Sequence, residues 1–452
     1  LEGGKSGITT LIFADTGRGS IINAVHSLAW GYGNRLDQKL VANYARTLLK
    51  ELINDEDYYI DPVEVNPADY KNDDGGYGIL PYAGSDMEFT ALITPLLKDV
   101  TDTSSLKMYF YNAVMSNEGV QAAALFGLAE LAEPVLLDLN RAAQVKNLSL
   151  KDYIYLGLAY EALGDINKAY EIYQERVVPE LERKDPYIRV KIRKNDTDTA
   201  YKLTAMAAAF AARINSPDAS KLYSYVANNY SKTQYVGVEK VLCLVEMART
   251  LPDVKASVEY VMNGKTYTAR LEDGLCEVVK VPSVNLDKFR ITKVSGDVSV
   301  LSMFTGPFAE NVANDSGITL TRKYYDAVTG EEKTTFRAND LVKVEITYTI
   351  DKTAIDNTYE ISDYAPAGLK PLENPWNYGV KNLIGCWYRQ FDGQKVTFVV
   401  GKYDEKNPPK PLVYYARVAS PGEYTAEGTV AQGMIVKSSM VTINSTKIVI
   451  EK

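Results

Sequence analysis

The sequence is poor in the residues that most often carry chemistry. Its 452 residues include one histidine, His26, and three cysteines, Cys243, Cys276 and Cys386. The cysteines are odd in number and far apart, which argues against both a disulfide framework and a paired-cysteine metal site. Zinc would have to be held by one histidine, scattered thiols and carboxylates, so we expect no metal and no cofactor. The thiols are interpreted as free and buried, with Cys243 on the inner face of its helix.

Long apolar runs and an excess of basic charge are also missing. No stretch approaches the roughly 20 apolar residues of a membrane span, so we expect no embedded membrane segment. The formal net charge is −8, whereas a nucleic-acid binder needs a concentrated basic surface, so nucleic acid is not an expected partner. The chain starts LEGGKSG, without an initiating methionine or a signal segment. This start predicts a mature or excised part of a longer protein.

The first half has helical periodicity. Apolar residues recur three and four positions apart between about Ser20 and Thr250, which predicts packed helices. Breakers such as LGD and NSPD separate the helices into hairpins. We expect an all-α unit, stacked either as a solenoid or as a closed ring. The periodic segments are SDMEFTALITPLL, EGVQAAALFGLAELA, LKDYIYLGLAYEALG, DTAYKLTAMAAAFAARI and GVEKVLCLVEMAR.

After Pro252 the period changes to two, which predicts half-buried strands and a β-sandwich. KVTFVVGKY and MVTINSTKIVI each predict one strand, and a polar link near Pro307 divides this half in two. We also expect residues 363–369 to form an edge strand and turn, with Pro366 outside any central ladder. In LVKVEITYTI, the residues that share one face are Val342, Val344, Ile346, Tyr348 and Ile350.

Three local motifs resemble functional sites, but each is better explained as a structural feature. The segment around Gly157 matches one tetratricopeptide repeat, but an array needs three or more copies, so we expect a helical hairpin. In NDDGGYG, Asn72, Asp74 and Gly75 fit the middle of a calcium loop, but Tyr70 and Pro81 would occupy its first and twelfth positions and supply no carboxylate, so we expect no calcium site. His26 has neither a Gly-x-Ser-x-Gly elbow nor a cysteine on its helix, so we expect it to be structural.

Several segments together resemble the C-terminal half of bacterial alpha-2-macroglobulin-like proteins. DGGYGILPYAGSDMEFTA is similar to the family's Gly-Gly-aromatic turn and the helix after it. TDTAYKLTAMA and SKTQYVGVEKVLCLVEMA, with Thr233 and Gln234, are similar to later helices of the family's helical ring. The final β-sandwich is represented by GITLTRKYYD, FRANDLVKVEITYTI, ISDYAPAGLKPLEN and VYYARVASPGEYTA.

The resemblance implies a multidomain α plus β fold, with an α/α toroid of helical hairpins followed by antiparallel β-sandwich domains. Residues 15–252 would form the toroid, which is the family's thioester-type domain. Residues 253–307 would be a CUB-like β segment, and residues 308–452 a macroglobulin or receptor-binding-like sandwich. Residues 1–14 would be a linker or a strand, since GITTLIFA has the composition of a strand.

Reactive members of the family carry Gly-Cys-x-Glu-Gln at the start of the first toroid helix. In the register that best aligns this helix, Ser20 replaces the cysteine, Ile22 the glutamate and Asn23 the glutamine. No cysteine precedes Cys243 and no histidine follows His26, so the thiol and the family's downstream catalytic histidine are both missing. We expect a member without a thioester.

The resemblance implies a non-covalent protease-trap or protease-inhibitor-like role for the full-length chain, exported to the cell surface or beyond. Its partners would be proteases and possibly other surface proteins, and the chain would not be an enzyme. An adhesive or scaffolding surface protein is the first alternative. A toroid enzyme of the terpene-cyclase or prenyltransferase kind is the second. Those enzymes need a clustered acidic motif or an Asp-Cys-His zinc site. The sequence has no Asp-x-Asp-Asp motif and no second histidine, so this alternative is disfavoured.

Overall fold

A computed structural model describes residues 1–30, 34–53, 58, 60–116, 121–194, 196–229, 237–252, 254–272, 274–305, 317–380, 388–402, 409–434 and 439–452. The chain divides into two compact units, Thr9–Met303 with Leu1–Glu2, and Phe304–Lys452 with Gly3–Ile8. Helices dominate the first unit and strands the second, so the predicted mixed α plus β class is confirmed. The link predicted near Pro307 lies outside the described residues.

The helices of the first unit form a closed ring. Among the described residues α2, α3, α5, α7, α9 and α11 contact one another in that order, and α11 contacts α2 again. The remaining helices pack on the outside of this inner ring. Of the two predicted arrangements, the closed toroid is therefore the one that forms. The helices are α1 (Thr16–Ala29), α2 (Leu36–Ile53), α3 (Met87–Leu97), α4 (Ser104–Met115), α5 (Ala122–Glu130), α6 (Leu136–Ala143), α7 (Leu150–Ala162), α8 (Ile166–Ile172), α9 (Thr197–Arg213), α10 (Ala219–Asn228) and α11 (Gly237–Arg249).

Small side chains let the inner helices approach closely. All nine residues of α5 are buried, and most of the buried residues of α9 are alanines. A Cβ on Gly157 of α7 would lie 2.2 Å from a ring carbon of Phe210 on α9. The glycine of the repeat-like motif is therefore required by this helix contact. A turn through Gly164, with φ of +84°, joins α7 to α8 as the predicted hairpin.

The Gly-Gly-aromatic segment forms the turn that leads into α3. Gly75 has a φ of +89°, which favours glycine. The carboxylate of Asp74 accepts hydrogen bonds from the Gly76 amide at 2.9 Å and the Ser85 hydroxyl at 2.7 Å. Asp86 then caps α3 by accepting from the amide of its third residue. The carboxylates of Asp74 and Asp86 therefore accept hydrogen bonds that stabilise the turn and the start of α3.

Two expectations about secondary structure are wrong. The helical half is not purely α, because Leu181–Lys184 (β2) and Tyr187–Val190 (β3) pair as an antiparallel hairpin. Strands of four residues are too short for an alternating pattern to stand out from the helices around them. MVTINSTKIVI is not one strand but two, with a break at residues 443–445.

Two three-stranded sheets complete the first unit. β1 lies between β6 and β8, and β4 lies between β5 and β7. The ring of Phe13 in β1 stacks on Tyr260 in β4 at 5.7 Å, and Tyr260 stacks on Phe289 at 5.2 Å. β1 precedes the toroid in the sequence, but it is the middle strand of a sheet whose other two strands, β6 and β8, follow the toroid. The strands are β1 (Ile8–Asp15), β4 (Ala256–Met262), β5 (Lys265–Leu271), β6 (Glu277–Pro282), β7 (Arg290–Ser295) and β8 (Val298–Phe304).

The second unit is an antiparallel β-sandwich with one small additional sheet. Its sheets have the orders β13-β16-β11-β9, β14-β15-β12-β18-β19 and β10-β20-β17, and β10 pairs with β20 in parallel. The two larger sheets share one apolar core. The strands are β9 (Ile318–Asp326), β10 (Thr335–Arg337), β11 (Leu341–Ile350), β12 (Thr358–Tyr364), β13 (Leu369–Leu372), β14 (Tyr388–Asp392), β15 (Lys395–Gly401), β16 (Leu412–Val418), β17 (Gly422–Ala426), β18 (Val430–Gly433), β19 (Met440–Thr442) and β20 (Thr446–Glu451).

The predicted face of β11 is confirmed, since all five of its alternate apolar residues are buried. The prediction for residues 363–369 is correct only in part. Asp363 is the penultimate residue of β12, which is an interior strand between β15 and β18, whereas β13 is the edge strand. Pro366 lies in the turn between β12 and β13, outside both ladders, as predicted. The domain boundaries predicted at residues 14/15, 252/253 and 307/308 stay predictions.

Candidate functional site

The first candidate site is the start of α1, directly after β1. Asp15 ends the strand and caps the helix, accepting from the amide of Arg18 at 2.9 Å. The Arg18 side chain pairs with the same carboxylate at 3.5 Å and donates to the carbonyl of Leu52 on α2. A cap, an ion pair and a contact to the neighbouring helix therefore hold this corner in place.

The three residues at the predicted thioester position do not form a sheltered pair. Ser20 and Asn23 are exposed, whereas Ile22 is fully buried in the core of the ring. A thioester needs a thiol and a carboxamide held together away from water. This turn has a hydroxyl and a short amide in solvent instead. The correspondence of Ser20, Ile22 and Asn23 with reactive family positions stays a prediction.

His26 belongs to a small aromatic cluster on α1. Its Nε2 accepts a hydrogen bond from the indole Nε1 of Trp30 at 2.9 Å, and the guanidinium of Arg46 lies 5.1 Å from the Trp30 ring centroid. Burial lowers the pKa of His26 below its usual value, which favours the neutral ring that this hydrogen bond needs. The geometry fits the structural role expected for this residue.

The cysteines lie apart from α1. Cys243 is 1% exposed, its thiol donates to the sulfur of Met247 at 3.7 Å, and burial raises its pKa to about 12. Cys276 is half-buried and donates to the carbonyl of Leu52. Cys386, Thr233 and Gln234 lie outside the described residues. Within the described ranges, no three His, Cys, Asp or Glu side chains are grouped to hold a metal, and no helix is long and apolar enough to cross a membrane.

No sequence motif pointed to a pocket of about 350 Å³, which we call the ring-end pocket. Its helical lining residues all belong to the first six residues of α2, α3, α7, α9 or α11. Glu239 is only 3% exposed, and burial raises its pKa to about 7. The burial of Glu239 could have been predicted from helical spacing, because Glu239 precedes the buried Cys243 by one turn and so lies on the same face of α11. The lining residues are Arg35, Asp37, Ile79, Gly84, Asp86, Glu88, Phe89, Leu92, Tyr155, Lys202, Val238 and Glu239.

The centre of the ring is packed. The void lined by Leu158, Met206 and Leu242, among others, measures only about 10 Å³. Arg213 lines this void and is bonded to Glu130 and, at 3.2 Å, to Glu161. These charges lie at the C-terminal ends of α5, α7 and α9, where a cation such as Arg213 is favourable. The ring has no interior chamber at this point.

No family model and no curated protein matches this sequence. Solved structures do. Native alpha-2-macroglobulin of Escherichia coli, spanning domain MG7 to the C-terminus, aligns with a TM-score of 0.65 and 15% identity, over 98% of this chain and 77% of that chain. The chain has the fold of the C-terminal region of a bacterial alpha-2-macroglobulin.

Two longer alpha-2-macroglobulin structures align equally well. The native conformation from E. coli has a TM-score of 0.64 at 15% identity and covers all of this chain. The methylamine-reacted protein from Salmonella has a TM-score of 0.63 at 15% identity and covers 99% of this chain. This chain spans 32% of each of them. The likeness establishes the fold of the alpha-2-macroglobulin C-terminal region.

Proposed function

We propose that residues 1–452 act as the C-terminal part of a longer, exported protein that traps proteases without a covalent bond. The alpha-2-macroglobulin fold over essentially the whole chain supports a trap-like role. The start of α1 supports the non-covalent mode, because Ser20 and Asn23 are exposed and Ile22 fills the core. Proteases are the proposed partners, and the cell surface or extracellular space is the proposed location.

We further propose that the chain is not an enzyme. A toroid enzyme needs a chamber for its substrate, whereas the axial void of this ring is about 10 Å³ and ligand pockets are typically several hundred Å³. Ser20 makes no hydrogen bond to a base among the described residues, so its hydroxyl is not activated as a nucleophile. We therefore propose a protease trap rather than a toroid enzyme.

The deciding experiment uses a full-length protein that contains this chain. It is incubated with an active protease, and residual hydrolysis is measured on a small peptide and on a large protein substrate. A trap confines the protease, so only hydrolysis of the large substrate is lost. A variant without residues 1–452 is the control and should leave both activities intact. Unchanged activity with the full-length protein would contradict trapping and favour an adhesive or scaffolding surface protein.

A second experiment tests the absence of the thioester. The 452-residue chain is unfolded before and after methylamine treatment, and its thiols are titrated. We expect three thiols in both samples, because the chain has three cysteines and no Cys–Gln pair at α1. The appearance of an additional thiol only after methylamine would show that a thioester had been present.

A further inference from the structure

We propose that the ring-end pocket binds a primary alkylammonium group, such as a lysine side chain carries, with Glu239 as the anchoring carboxylate. This site is separate from the start of α1 and does not depend on protease trapping. The proposal rests on an excess of carboxylates, on one buried carboxylate without a side-chain partner, and on apolar walls.

The pocket has more carboxylates than cations. Asp37, Asp86, Glu88 and Glu239 line it, against Arg35 and Lys202. Three of the four carboxylates are already engaged. Asp37 pairs with Arg35 at 2.7 Å, Glu88 pairs with Lys151, and Asp86 accepts from the amide of Phe89 at 2.7 Å.

Glu239 is the carboxylate that remains. Among the described residues its side chain accepts a hydrogen bond from its own backbone amide but has no hydrogen bond or ion pair with another side chain, and it is almost fully buried. Lys202 on the neighbouring helix α9 and Lys240 on α11 act on it only through space. The partial positive charge at the N-terminal end of α11 stabilises this carboxylate in part, but a buried carboxylate without a paired counter-ion is still costly when ionised. An ammonium ion in the pocket would supply that counter-ion.

The other walls suit the methylene stem of such a ligand. Phe89, Leu92 and Val238 supply apolar surface beside Glu239. Tyr155 is buried, and its hydroxyl has no hydrogen-bond partner in the described part of the chain, so it provides a second acceptor. A volume of about 350 Å³ falls within the usual range of small-ligand sites.

Calorimetric titration of the 452-residue chain tests the site. The probes are N-acetyl-L-lysine methylamide, 1,5-diaminopentane and, as the uncharged control, N-acetyl-L-norleucine methylamide. We expect both amines to bind and norleucine not to bind. If the lysine probe binds more tightly than the diamine, the natural ligand is a lysine side chain of a protein. If the diamine binds more tightly, the natural ligand is a free amine. Absence of binding by both amines would overturn the proposal.

Matched variants locate the site. Glu239→Gln keeps the shape of the side chain and should weaken amine binding at least about tenfold, the effect of losing one charge-assisted hydrogen bond. Glu171→Gln on the outer helix α8 removes an exposed carboxylate and should leave binding unchanged. Equal binding by wild type and Glu239→Gln would overturn the assignment.

A measurement on the wild-type chain covers the case in which Glu239→Gln fails to fold. Carbodiimide coupling of 1,5-diaminopentane, followed by peptide mapping, should modify Glu239 ahead of exposed glutamates, because the bound amine lies beside it. Coupling at exposed glutamates with none at Glu239 would overturn the proposal.

Discussion

Gly19 of α1 lies against Ser299 of β8 so closely that a Cβ on the glycine would be 2.4 Å from the Ser299 Cβ. The contact joins the first toroid helix to the sheet that contains β1. Gly19 is also the glycine of the family's reactive motif in the predicted register. Its small size is required here by packing, whether or not a thioester is present.

Gly19→Ala should therefore destabilise the first unit by about 1–3 kcal/mol, the usual cost of overpacking. Gly84→Ala is the matched control, because a Cβ at Gly84 meets nothing within 4 Å. Urea unfolding of both variants measures the difference. The double variant Gly19→Ala/Ser299→Gly should regain most of the loss. Equal stability of the two single variants would contradict the contact.

Cys243 should resist alkylation in the folded protein. Burial raises the pKa of its thiol to about 12, and the thiolate is the species that reacts. Cys276 is only half-buried and should be modified first by iodoacetamide. Peptide mass spectrometry at short reaction times measures both rates. Labelling of Cys243 as fast as Cys276 would show that Cys243 is not on the inner face of α11.

Stability of the first unit should fall as pH rises through neutrality because of Glu239. Its pKa is raised from 4.5 to about 7 by burial, so the folded state retains a proton that the unfolded chain has lost. This contribution is complete below about pH 4.5 and disappears above pH 7, a change on the order of 3 kcal/mol. Glu239→Gln should remove it. The check is the wild-type minus variant free energy of unfolding at pH 5 and pH 8, which should differ by that amount.

The sandwich should depend strongly on one buried ion pair. The fully buried side chains of Arg322 on β9 and Asp363 on β12 meet at 2.7 Å and link the two larger sheets. Tyr414 and Thr429 also donate to the Asp363 carboxylate, at 2.7 and 2.6 Å. Asp363→Ala leaves the Arg322 charge uncompensated and should cost about 3–5 kcal/mol.

The exposed pair between Lys323 and Glu332 provides the control for that prediction. Glu332→Ala should change the free energy of unfolding by no more than about 1 kcal/mol, since exposed pairs contribute little. Urea midpoints of the second unit compare the two variants. Similar midpoints would mean that the Arg322–Asp363 pair does not hold the sheets together.

Long, strongly periodic segments could be predicted from the sequence. α9 and β11 correspond closely to their predicted segments, because each buries a regular stripe of apolar side chains. Two features could not be predicted from the sequence: the short β2–β3 hairpin and the break between β19 and β20. Elements of three or four residues are too short to show a periodic pattern. The ring-end pocket was missed for another reason: its residues come from five separate helices.

The sequence by itself determined the helical and β halves, the inward faces of their longer elements, and the lack of a thiol near α1. These properties follow from local spacing and residue identity. Only the tertiary structure decided that α11 closes the ring on α2, that β1 joins β6 and β8, and that Glu239 is buried beside Lys202. Periodicity shows which face of an element is buried, but the partner of that face is chosen by packing between residues far apart in the chain.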